Sequence, residues 1–242
     1  VTWIPGRNDA RRCGSHLDVP RSATNRNCWH HTRKISAPKA QAELLGMSIW
    51  KPILGITLCC VGVVGMLSGR PIDRPAGVLV DRVPVQQPTR AIPFAFDEFV
   101  ITPQASYDIE ARVLSVEPYK IDGGAKLSPI DFAVGWGPMS DSAVLEHFRV
   151  TQGARFFTIY PDEQAIDLRT ALLGSANMHL IPASGVIRDQ LEDVRSGNVV
   201  HLQGYLVSVA GPDGYTWNTS LTREDTGAGA CELFYVSSVE VR

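Results

Sequence analysis

Residues 199–219 read VVHLQGYLVSVAGPDGYTWNT. The run 199–209 is rich in Val and Leu on both alternating sets of positions, as a strand covered on both faces requires. Gly211-Pro212-Asp213-Gly214 then supplies turn chemistry, with proline presetting φ and glycine free to take positive φ. Residues 215–219 return as the hairpin partner. A helix precedes the strand: Ile187, Leu191 and Val194 recur at helical spacing, Ser184 stands where an N-cap is needed, and Gly197 lies just past the end. Helix, long central strand and hairpin together resemble part of a small OB-like barrel. This is a likeness of fold and transfers no function.

Working outward, 106–116 alternates, with Tyr107, Ile109, Ala111 and Val113 on one side and Asp108, Glu110 and Arg112 on the other. That is the pattern of a half-buried strand. Apolar runs at 130–136, 155–160, 178–181 and 231–239 add further strands, and helices are predicted over 141–148, 164–173 and 184–194. The expected fold class is α+β: a β-rich curled antiparallel sheet or small OB-like barrel with two or three short helices, over residues 94–242. Five prolines at Pro71, Pro75, Pro84, Pro88 and Pro93 make 70–93 read as an extended tether.

Upstream, 53–67 carries no charge, and 49–68 would span about 30 Å as a helix, roughly one hydrocarbon core. Trp50 suits the membrane interface and Lys51 can snorkel toward headgroups. Residues 47–69 therefore read as one N-terminal transmembrane anchor. The alternatives are a signal segment cleaved near Ser68, although no A-x-A site is present, and a lipid on Cys59 or Cys60, which Leu58 disfavours. Residues 1–46 lack apolar periodicity and read as a disordered or non-native leader, with Met47 the native start. Cys13, Cys28, His30 and His31 in that leader lack the paired spacing of a zinc site.

The net charge of -2 hides an asymmetry. The leader has eight Lys and Arg against three Asp and Glu, whereas 70–242 has 14 basic against 22 acidic residues. An acidic body repels phosphate backbones, so nucleic acid is not an expected partner. Three phrases, GWGPMSD (135–141), NMHLIPA (177–183) and SLTREDTGAGACELFYV (220–236), resemble a group of uncharacterised membrane-anchored or exported bacterial proteins. The resemblance implies a bacterial source and an exported domain; with the anchor at 47–69, the expected location is the bacterial inner membrane with the C-terminal domain facing the periplasm. It assigns no activity or catalytic residue.

Among candidates for chemistry, His179 is the acid/base residue and Cys231 its nucleophile partner, since imidazole titrates near neutral pH and a thiolate attacks acyl carbon. The bland reading is a structural histidine and a small buried thiol. Asp131 and Glu232 are possible carboxylates, beside His147 and His201. Arg223, Glu224, Asp225 and Thr226, followed by a glycine-rich turn, form the expected binding loop; its bland reading pairs Arg223 with Glu224 or Asp225. No H-E-x-x-H, Walker or complete G-x-G-x-x-G pattern occurs, so neither a metal nor a cofactor is expected. Two functions follow. The first is a non-catalytic envelope module that binds another envelope protein or a small ligand. The second is an exported hydrolase using His179 with Cys231 or nearby carboxylates. Closeness of His179 and Cys231 in an open cleft separates them.

Overall fold

A computed structural model describes residues 70–225, 227 and 229–242. The leader, the apolar segment expected as an anchor, and Thr226 of the expected binding loop lie outside the described residues.

The chain forms a β-rich α+β domain with ten strands and three short α-helices among the described residues. The strands are β1 Val85–Pro88, β2 Phe94–Phe96, β3 Phe99–Pro118, β4 Ile130–Gly135, β5 Phe148–Gly153, β6 Phe156–Pro161, β7 Ser175–Pro182, β8 Val199–Ala210, β9 Thr216–Asn218 and β10 Glu232–Val241. The helices are α1 Ser142–Leu145, α2 Leu168–Leu173 and α3 Gly185–Glu192. Each has its cap where side-chain chemistry supplies one: Asp141, Asp167 and Ser184 accept backbone N–H groups of the first turn.

β3 pairs with β4, β4 with β7, β7 with β10, β10 with β8, and β8 back with β3. The ladders thus form a closed circuit. The expected wholly antiparallel sheet is corrected here: β7 and β10 are parallel. Geometry forces this, because five strands in a circuit cannot all alternate direction, so at least one neighbouring pair must run the same way. The long β3 bends through irregularities between Pro103 and Ala105 and between Val113 and Ser115, which lets one strand serve both β8 and β4.

The inner face holds the main core. Tyr107, Ile109, Ala111 and Val113 are buried as their alternation predicts, with Phe132, Val134, Met178, Leu180, Leu202, Leu206, Phe234 and Val236. A second apolar cluster, with Leu127, Ile181, Val207 and Leu233, covers the opposite face. β4 and β7 are consequently buried on both faces. Polar residues in these two strands, Asp131, Asn177 and His179, are therefore forced to find partners inside the protein.

Three expectations of local structure are revised. Phe148 opens β5 instead of closing a helix, so the helix at 141–148 contracts to α1. The β5–β6 hairpin was only half legible, because β5 reads FRVTQG with little alternation. The segment 70–93 is not a free tether. Ile72 N–H donates to Ser196 O, Gly137 N–H to Val80 O, and Arg74 Nε to Gly197 O; Val80 is buried, and β1 pairs with β3. Its prolines spare it the ladder hydrogen bonds that a strand would demand, while leaving carbonyls free to accept.

Candidate functional site

Register builds the site. Asp131 on β4 faces His179 on β7 across an antiparallel pair, and Leu233 on β10 faces His179 across the parallel pair. Cys231, two residues before Leu233, therefore projects on the same side as Asn177 and His179. His179 Nδ1 lies 2.9 Å from Asp131 Oδ2, and both side chains are buried. Its ring leans on Trp217 with centroids 4.8 Å apart. Cys231 lies close enough for its thiol to affect the charge on the imidazole. Asn177 Nδ2 donates to Cys231 Sγ at 3.5 Å, and the thiol donates to Arg155 O at 3.8 Å. The sequence-predicted His179 and Cys231 are thus brought together, with Asp131 behind them.

Burial alone would lower the basicity of His179. The Asp131 hydrogen bond, the sulfur and their charges outweigh it and push the imidazole up to about 9. At neutral pH the ring is an imidazolium between a carboxylate and a thiol.

Arg155 was missed by sequence reading. It sits with Ala154 at the tip of the β5–β6 hairpin, and both residues have positive φ, 49° and 69°. Neither is the Asn or Gly that such a two-residue turn prefers, so the tip is strained. The guanidinium compensates. Nη1 donates to Asp131 Oδ1 at 2.8 Å, Nε and Nη2 each donate to Asp122 at 2.8 Å, and Nη2 also donates to Ser128 O at 2.9 Å. It lies 3.7 Å above the Tyr119 ring. The hairpin tip is therefore clamped onto the Asp131–His179 pair. The only sequence signal was an arginine in an apolar run where a strand was expected.

Cys231 is half-buried and opens onto a cavity of about 520 Å³. Phe156, Phe157, Leu168, Leu172 and Leu173 give it an apolar wall. Asn177, Thr222, Arg223, Glu224, Asp225 and Glu232 supply the polar side. Three of the four residues expected in the binding loop therefore line it. Arg223 does not pair with Glu224 or Asp225, however. Its Nη2 donates to Tyr107 Oη at 3.2 Å and to Pro84 O at 3.4 Å, and its guanidinium lies 5.2 Å from the Trp136 ring. Asp225 instead accepts from Ser220 Oγ at 2.6 Å. Glu232, adjacent to Cys231 but on the inner face, is buried, and burial pushes its carboxyl up to about 7. His147 pairs with Asp162 and His201 with Asp108, and neither histidine lines the cavity. Among the described residues no cluster of His, Cys, Asp and Glu has the geometry to hold a metal ion.

Comparison with known proteins finds no matching family model, no similar curated protein and no similar solved structure.

Proposed function

We propose that this domain is a thiol-dependent hydrolase, with Cys231 as nucleophile, His179 as its acid/base partner and Asp131 orienting the imidazole. The observation that carries the reading is Cys231 at the wall of the cavity, with His179 and its partner Asp131 buried behind it. Nucleophile, base and orienting group in sequence are what acyl transfer needs. The Cys231 thiolate attacks the acyl carbon, and a C–S bond forms. The bond to the leaving group breaks, and His179 gives that group its proton. Water then attacks the thioester, passes a proton to His179, and releases the acid with the thiolate and the protonated imidazole restored.

The test is acylation. With p-nitrophenyl acetate, the protein should release a burst of about one equivalent of p-nitrophenol, with the acetyl mass on Cys231. Cys231→Ala should show no burst. If wild-type Cys231 stays unacylated, the cavity serves only binding, and the domain is the non-catalytic envelope module.

The closed five-strand circuit, with α3 between its third and fourth strands in chain order, supports reading the fold as a small OB-like barrel. A membrane anchor at 47–69, with the domain on the periplasmic side of a bacterial inner membrane, completes the proposal; the uncharged run 53–67 supports it. Alkaline phosphatase fused after Arg242 should be active. An inactive phosphatase together with an active cytoplasmic reporter at the same place would reverse the topology.

A further inference from the structure

Two side chains that line the cavity next to Cys231 each carry a buried polar atom without a hydrogen-bond partner among the described residues. Arg223 Nη1 is a donor without an acceptor, and Glu232 Oε2 lacks any partner. Both side chains line the cavity, and Arg223 also donates to the Tyr107 hydroxyl. Buried polar groups are nearly always hydrogen-bonded, so each exception calls for a partner. The two are not an ion pair: Arg223 spends Nη2 on Tyr107 and Pro84, and Glu232 is within salt-bridge distance of no described cation.

One unfilled donor and one unfilled acceptor on residues that line the same cavity complement a group that carries both a C=O and an N–H. We infer that Arg223 and Glu232 form an amide-recognition subsite, and that the substrate is peptide-like, with one amide held there and an apolar side chain against Phe157, Leu168 and Leu172. In that pose the amide C=O accepts from Arg223 Nη1 and its N–H donates to Glu232 Oε2. The inference rests on the thiol-hydrolase reading for the word substrate, but the subsite itself is a matter of binding.

The test therefore uses binding of an inert probe, N-acetyl-leucinamide, followed by NMR titration or calorimetry on the whole protein. It should bind wild type and Cys231→Ala equally. Glu232→Met removes the acceptor while keeping the volume, and should weaken binding about tenfold or more. Because it also removes an unsatisfied buried carboxyl, this variant should melt no lower than wild type, which verifies folding. Arg223→Met should weaken binding by a similar factor. 4-Methylpentanoate, with the same apolar tail and a carboxylate, should bind less well than the amide. The inference is overturned by absence of amide binding to wild type, by unchanged affinity in folded Glu232→Met, or by tighter binding of the carboxylate. Amide binding without acylation of Cys231 would keep the subsite and discard the hydrolase.

Discussion

Asp131→Asn should lower unfolding stability by about 3–5 kcal/mol in urea melts, the range for removing one partner of a buried ion pair. Asp131 has no exposed surface and holds two cations, Arg155 Nη1 at 2.8 Å and His179 Nδ1 at 2.9 Å. An amide keeps the shape but returns no charge, so the guanidinium and imidazolium face each other across a neutral group. Arg155 retains Asp122, which limits the damage on that side. His179 retains only the thiol, so its basicity should fall, and acylation of Cys231 should slow with it. A loss below about 1 kcal/mol, the ordinary value for a surface pair, would mean that the cluster is solvated and the proposed orientation of His179 is wrong.

The parts of the fold that were legible are those whose burial follows a local period. β8 showed itself because apolar residues of both its faces, Val200, Leu202 and Leu206 on one and Val207 and Val209 on the other, are buried, and the 106–116 part of β3 because one face is. α3 was framed by Ser184 and Gly197. What failed was set by partners distant in sequence. The parallel β7–β10 pair follows from closing the strand circuit, which no local pattern contains. Residues 70–93 looked unstructured because prolines break strand periodicity, yet their carbonyls and Arg74 find partners on 137, 197 and 242.

The site divides the same way. His179 and Cys231 could be nominated from residue type. Their meeting depends on the register of β7 against β10, and the choice of Asp131 over other carboxylates on the register of β4 against β7. Arg155 was invisible, because its role comes from a strained turn and partners at 122, 128 and 131. Arg223 was nominated for its charge and lines the cavity, but aromatic rings and a distant carbonyl hold it, not the neighbouring acids.

His179→Gln should cut the acylation rate of Cys231 by about 10²–10⁴, the usual contribution of a positioned acid/base group. It should also change how stability depends on pH, and the sign is fixed by the direction of the shift. His179 is raised to about 9 in the folded protein, against about 6.5 when unfolded. The folded state therefore binds the proton more tightly. That stabilisation is complete below about pH 6.5 and is lost as pH rises through 9. The groups facing the ring are Asp131, Cys231 and, beyond Asp131, Arg155, with the Trp217 ring stacked beside it. Glu232 behaves alike at lower pH: raised to about 7 by burial, its contribution is full below about 4.5 and gone above 7. Urea melts at closely spaced pH values should show wild-type stability falling more steeply than His179→Gln between pH 6.5 and 9. The two proteins should run in parallel from pH 4.5 to 6, where both retain Glu232. If His179→Gln follows wild type across the upper window, the imidazole is neutral in the folded protein, and the ion pair on which nucleophilic Cys231 depends does not form.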